Sequence, residues 1–258
     1  MGLVHERRGA GEPLVLLHGI GHRWQGWEPV LGRVAEERDV IAVDFPGFGG
    51  SPGLGEGVSY NAQTLADAVE GLCAELGVVR PHVAGNSLGG YVALTLAARG
   101  TVRSATALSP AGFWSAGESA YARGVLRGLR WVSRVVPDGV VRVAAGSSLG
   151  RGVLMGMVVA RPGNVTAAAM AGDVRALRDA VGFDETLESF KDVVPPGRAK
   201  VPVTIAWGEH DRILPRRQAV RAAKWAERRV VLLKGCGHVP MSDDPALVAR
   251  VLLDGSAV

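Results

Sequence analysis

Cysteine is scarce in this chain: Cys73 and Cys236 are the only two among 258 residues. Two are too few for a disulfide framework, and their separation matches no metal-ligand spacing, so a cytoplasmic setting and no metal site are expected. Long apolar runs are missing too. The longest, Val153 to Ala160, contains a glycine and falls far short of the roughly 20 residues a bilayer span requires, so no membrane partner is expected. The segment from Met1 to Arg8 meets charge at once, where a signal peptide would need an apolar core. Glu6 also takes the position that a myristoylation motif gives to serine or threonine. The net charge is +4, yet the arginines are scattered and no block of five or six basic residues occurs, so nucleic acid is not an expected partner. Internal repeats and low-complexity tracts are absent as well, so the chain does not read as an array.

What is present fits a globular domain. A hydrophobic fraction of 47% with 21% charged residues argues against disorder, and the length favours one elaborated domain with a full core. Short apolar, β-branched runs recur at 14–17, 40–43, 82–84, 105–108, 203–207 and 230–233. Helical patterns alternate with them at Asn61 to Leu76, Leu88 to Arg99, Arg216 to Glu227 and Pro245 to Leu253. This alternation predicts an α/β fold, a mostly parallel central sheet flanked by helices. It stops between Ser109 and Val201, a gap too long for one crossover helix. An inserted helical cap is therefore expected over 112–182, with a core domain made of 1–111 and 183–258 and with Phe183 to Phe190 returning the chain to the main sheet. Gly124 and Gly128, and again Gly152 and Gly156, lie four apart, a spacing that predicts close helix contact within a mobile cap.

The chemistry concentrates in Gly85-Asn86-Ser87-Leu88-Gly89-Gly90, which follows the apolar run Pro81 to Ala84 and opens a helical one. G-x-S-x-G describes a sharp strand-to-helix turn that strains the serine backbone and is tolerated because flanking glycines leave room. With 36 glycines in the chain, the bare pattern arises by chance in on the order of a quarter of such sequences, so context decides. A serine nucleophile needs a base and a carboxylate that orients the base. Among six histidines His238 is best placed, in a glycine-flanked loop after the last predicted strand. His18 is expected to order its own loop, and His5, His22 and His82 to lie on the surface or in the core, His22 alone being positioned to face a substrate. In Trp207-Gly208-Glu209-His210-Asp211 two acids follow the penultimate strand, at the edge where ligands collect in open α/β sheets, and Asp211 is preferred to Glu209. The order Ser87, Asp211, His238 is the one this triad takes on such a sheet. The amides of Leu88, at a helix start, and of Ile20, in His18-Gly19-Ile20-Gly21, are the expected oxyanion donors.

Taken together, these segments resemble the α/β-hydrolase superfamily over nearly the whole chain. The resemblance rests on the His18-Gly19 loop, on Asp44-Phe45-Pro46-Gly47-Phe48-Gly49-Gly50-Ser51, on the Ser87 elbow, on Asp211 and on His238. It implies a cofactor-free serine hydrolase acting on a carboxylic ester or related small carbonyl substrate, with Asp44 to Ser51 as a structural loop. Only Leu3 to Arg7 precedes the oxyanion strand, so an abbreviated first strand pair is expected. The elbow and the loop ending in Gly26-Trp27 also resemble carbon-carbon hydrolases of meta-cleavage products, although Val239 replaces the tryptophan that commonly follows their catalytic histidine. Ser87 argues against epoxide hydrolases and haloalkane dehalogenases, which use an aspartate nucleophile. A lyase or cyclase, and a ligand-binding receptor, are the alternatives from other classes, the intact triad arguing against the receptor.

Trp24, Trp27, Phe113 and Met155 are the candidate substrate-binding residues, with core packing the competing role. Arg123, Arg127, Arg130 and Arg134 recur at helical spacing opposite Val125, Leu129, Val132 and Val136. Arginines turned into the pocket would select carboxylate-bearing substrates, whereas an inward apolar face would select neutral, hydrophobic acyl groups. The second orientation is favoured, because burying several like charges together is costly.

Overall fold

In the computed structural model, which describes residues 2–258, one sheet holds β1 (His5–Arg8), β2 (Glu12–Leu17), β3 (Arg38–Val43), β4 (His82–Asn86), β5 (Ser104–Leu108), β6 (Val203–Gly208) and β7 (Val231–Leu233). Their spatial order is β1-β3-β2-β4-β5-β6-β7. A single antiparallel strand, β1, stands ahead of β2 and pairs with β3, His5 opposite Val43, while the other pairings are parallel. The order of connection reverses around β2 and β4, so the loops leaving these neighbouring strands open a crevice at their carboxyl ends.

Side chains alternate along β2, and both of its faces are covered. Leu14 and Leu16 join Val30, Leu31 and Val34 of α1 (Glu28–Ala35) and Val248 and Leu252 of α10 (Pro245–Gly255). Val15 and Leu17 join Leu65, Val69 and Leu72 of α2 (Ala62–Glu75) and Val92 and Leu96 of α3 (Leu88–Arg99). The start of α2 is fixed locally: Asn61 Oδ1 accepts from the amides of Gln63 at 2.9 Å and Thr64 at 3.1 Å, and Thr64 Oγ1 accepts from the Asn61 amide in return. This reciprocal capping satisfies amides that have no partner inside the helix.

Between β5 and β6 stand α4 (Ala116–Val135), α5 (Asp138–Ala145), α6 (Ser148–Met155), α7 (Ala167–Asp179) and α8 (Phe183–Ser189). The segment expected to bring the chain back to the sheet at 183–190 does so as a helix. Phe183, Leu187 and Phe190 enter the apolar cluster of α2 and α3, with Phe190 edge-on to Tyr91 at 5.2 Å. The glycine spacing in the insertion does not mark helix contacts: Gly124, Gly128 and Gly152 have no neighbouring atom within 4 Å of where a Cβ would sit. α9 (Gln218–Ala226) follows β6. Among the described residues no helix is long and apolar enough to cross a membrane.

Candidate active site

Ser87 follows β4 at the head of α3 with φ 56° and ψ −113°, a left-handed backbone that a residue with a Cβ adopts only under constraint. The constraint is steric. A Cβ on Gly85 would collide with the carbonyl of Gly89, and one on Gly89 with the carbonyl of Leu17. Glycine at both positions lets the helix start directly above the strand ends and presents the serine, 8% exposed, to the crevice. The sequence order of β2 and β4 then brings the next loop alongside, since Gly19 lies where a Cβ would be 3.4 Å from Ser87 Cβ.

The loops after β6 and β7 bring a carboxylate and an imidazole together. His238 Nδ1 donates to Asp211 Oδ2 at 2.8 Å, the Asp211 side chain being fully buried and that of His238 5% exposed. The other Asp211 oxygen accepts from the amides of Ile213 at 2.9 Å and Leu214 at 2.7 Å. Three donors thus hold this carboxylate in one orientation. Glu209 turns elsewhere and accepts from the Gly235 amide at 2.8 Å. Ser87 and His238 line one cavity of about 460 Å³.

His18 is wholly buried. Its Nε2 accepts from the Phe45 amide at 3.0 Å and its Nδ1 lies 2.7 Å from the Gly19 carbonyl, which assigns the proton to Nδ1. Burial pushes its pKa down to about 3, so the neutral ring braces the loop that carries Ile20. Asp44 braces the same region, accepting from the amides of Trp24 at 2.6 Å and Gly50 at 2.8 Å. The Leu88 amide stands at the first turn of α3, where no intrahelical acceptor exists, and Ile20 and Leu88 both border Ser87.

Of the expected substrate-binding residues, the structure brings only Met155 to the cavity. Three are corrected. Trp27 is fully buried and packs with α1. Trp24 packs on the same cluster, with the Arg8 guanidinium 6.0 Å from its ring. Phe113 is buried edge-on to Trp225 at 5.7 Å. Large aromatic rings beside a glycine loop found more apolar area under the helices than in the cavity. Cys236, two residues from His238, is buried, which pushes its thiol up to about 12 and leaves it unreactive.

Several site residues escaped the sequence reading. Asn86 Nδ2 donates to the carbonyls of His238 at 2.8 Å and Leu108 at 3.1 Å. Asp243, buried, accepts from the amides of Gly237 at 2.7 Å, Ala160 at 3.0 Å and Arg161 at 2.6 Å, tying the histidine loop to the insertion. Asp173 of α7 accepts from Arg23 Nε at 3.2 Å and lies 3.6 Å from His22 Nε2, joining the insertion to the loop after β2 at the cavity wall. Burial by itself would lower the His22 pKa, but the Asp173 carboxylate outweighs it and holds that pKa above the usual histidine value. Asn86 was the accessible signal, as the variable residue inside the elbow motif; the two aspartates carry none, because their partners lie far off in sequence.

The apolar face of α4 lines the cavity through Leu126, Leu129 and Val132, with Val136 just past its end, whereas Val125 packs beside Phe113 and Ile213 in the neighbouring core cluster. The arginines turn mainly toward α8 instead: Arg127 pairs with Glu188 at 2.9 Å and Arg134 with Asp184 at 3.2 Å. Arg130, buried, donates to the carbonyls of Leu177 and Ala180 and stacks over Phe183 at 4.9 Å.

The sequence profile of the alpha/beta hydrolase family matches residues 14–251, which runs from β2 into α10 and includes Ser87, Asp211 and His238. The chain belongs to the alpha/beta hydrolase family. It is 30% identical over 256 residues to a dihydrolipoyllysine-residue acetyltransferase component of the acetoin cleaving system of Pseudomonas putida, spanning 94% of this chain and 63% of that protein. It is 28% identical over 216 residues to an epoxide hydrolase of Mycobacterium tuberculosis, covering 74% of this chain and 93% of the relative. Among solved structures of this alpha/beta hydrolase fold, a bacterial membrane phospholipase A superposes with a TM-score of 0.77 at 28% identity, over 98% of this chain and 83% of that one.

Proposed function

We propose that this protein is a serine hydrolase cleaving carboxylic esters with a hydrophobic acyl group. The observation that carries the reading is the His238–Asp211 hydrogen bond of 2.8 Å beside a serine held at positive φ, on the wall of one cavity. Asp211 fixes the tautomer in which Nδ1 carries the proton, which leaves Nε2 as the base. Ser87 Oγ attacks the ester carbonyl as His238 Nε2 takes its proton. The oxyanion is held by the amides of Ile20 and Leu88, and the proton passes to the departing alcohol. Water, deprotonated by the same ring, then attacks the acyl-enzyme and frees the acid and Ser87.

The α4–α7 insertion serves as the cap of this site. Leu129, Val132, Val141, Leu154 and Val174 line the cavity from it and suit an alkyl chain, since apolar surface drives such binding. The test is labelling with a fluorophosphonate followed by esters of increasing acyl length. Labelling that vanishes in Ser87→Ala, with kcat/KM rising from two to about eight acyl carbons, supports the reading. A wild-type protein that neither labels nor turns over any ester overturns it.

A further inference from the structure

Ile20 lies in a tight turn. The His22 amide donates to the Gly19 carbonyl at 3.1 Å, which makes Ile20 and Gly21 the central residues, and Gly21 has the positive φ of 70° that glycine supplies at the third position of such a turn. Where His22 sits therefore sets the peptide planes around Ile20. His22 and its neighbour Arg23 are in turn drawn to α7: Arg23 Nε donates to Asp173 Oδ1 at 3.2 Å, and His22 Nε2 lies 3.6 Å from Asp173 Oδ2. Gly172, just before Asp173, leaves the room that the Arg23 guanidinium fills, and Gly26 does the same for the His22 ring. Among the described residues, the hydrogen bonds and ion pairs between the insertion and this loop converge on Asp173. The insertion is tied to the core separately through Asp243, which accepts from the amides of Ala160 and Arg161.

Both ring nitrogens of His22 face acceptors, since Nδ1 lies 3.2 Å from the Arg23 carbonyl. A neutral ring would turn a lone pair on either the carbonyl or the carboxylate, and only the imidazolium, with a proton on each nitrogen, suits both. The other titratable groups acting around the ring are Arg23, His18 and Asp44. His18 is neutral, and the Asp44 oxygens accept from the Trp24 and Gly50 amides. Resting on the hydrolase reading above, we propose that Asp173 is a positioning residue of the reaction. By drawing Arg23 and a charged His22 onto α7 it seats the turn whose Ile20 amide holds the oxyanion, so the oxyanion hole is complete only when the insertion is docked on this loop. Loss of the His22 proton sets a lone pair against the carboxylate and loosens the turn. The donor is then misplaced while the apolar walls that bind the acyl chain stay, so the loss falls on kcat.

The experiment measures kcat and KM for two-carbon and eight-carbon acyl esters, and the rate of fluorophosphonate labelling, in wild type, Asp173→Asn and His22→Gln. Asp138→Asn, which breaks the pair with Arg178 inside the insertion, is the control. Asp173→Asn is expected to lower kcat by tenfold or more for both esters with KM within about threefold, because a transition-state contact is lost and ground-state binding is kept. Labelling should slow in parallel, since the phosphonyl oxygen uses the same donors. The control keeps kcat within about twofold. Wild-type kcat should fall as pH rises through the His22 pKa measured by NMR, and that fall should be missing in Asp173→Asn and His22→Gln. The wild-type profile needs no variant, so it decides even where a variant does not fold. A kcat that stays level through the His22 pKa, a loss confined to KM or growing with acyl length, or an equal loss in Asp138→Asn overturns the positioning role and leaves the hydrolase reading standing. Absence of labelling and turnover in wild type overturns both.

Discussion

Asn86 Nδ2 donates to the main-chain oxygen of His238 at 2.8 Å, so the residue before Ser87 holds the loop that carries His238. The second amide hydrogen goes to Leu108 O at 3.1 Å, on the neighbouring strand. One buried amide thereby ties together β4, β5 and the histidine loop. Asn86→Ala leaves two buried carbonyls without this donor, and a loss of about 2–4 kcal/mol of stability is expected by denaturant unfolding. kcat should fall more than KM rises, because the base is displaced while the cavity walls stay. A kcat within twofold of wild type would remove Asn86 from the positioning of His238.

The two acids after β6 should separate cleanly. Asp211→Asn is expected to cost on the order of 10⁴ in kcat, by favouring the wrong imidazole tautomer. Glu209→Gln should leave kcat within about tenfold and act mainly on stability, since this side chain accepts from the Gly235 amide. Steady-state kinetics of the two variants decide the assignment, and a reversed ranking would transfer the role to Glu209.

Glycines that look alike in the sequence differ in their surroundings. Gly89→Ala places a Cβ against the Leu17 carbonyl and should destabilise on the order of 3 kcal/mol. Gly124→Ala, in the middle of α4 with open space around it, should stabilise by up to about 1 kcal/mol through helix propensity. Unfolding midpoints in urea measure both.

The buried and the paired histidine titrate in opposite directions. The pKa of His18 is about 3 when folded against an ordinary 6.5. The unfolded chain therefore takes up a proton that the folded one refuses, and stability is lost as pH falls from about 6.5 toward 3. For His22 the folded pKa is raised; its contribution is complete below the ordinary value and is lost as pH rises through the folded one. Histidine ring resonances followed by NMR should show His18 neutral down to pH 4 and His22 ionising above the usual range, with Asp173→Asn lowering the latter.

Filling the large cavity from α4 should shorten the accepted chain. Val132→Phe is expected to lower kcat/KM for eight-carbon acyl esters by tenfold or more and to affect two-carbon esters less, because added ring volume takes up space where the distal methylenes would lie. Equal losses across the series would place the acyl group elsewhere.

Periodicity and punctuation are local properties, and what depends on them was legible in the chain itself. The apolar runs lie within β2 to β6 nearly residue for residue, and α3 spans Leu88–Arg99 as its pattern predicts, because a strand covered on both faces and a buried helix each leave a continuous apolar signature. The elbow was legible because only glycine fits where Gly85 and Gly89 meet backbone. Phe183 to Phe190 was not: a short apolar and acidic run carries no decisive period, and the Phe190 ring found its place against Tyr91, far back in the chain. The same limit applies around the site. Which acid meets His238 and what the α4 arginines face are settled by contacts between segments tens to more than a hundred residues apart, such as Arg23 with Asp173. Composition determines that these side chains must find partners when buried; only the packing of the insertion against the sheet edge decides which partners they find.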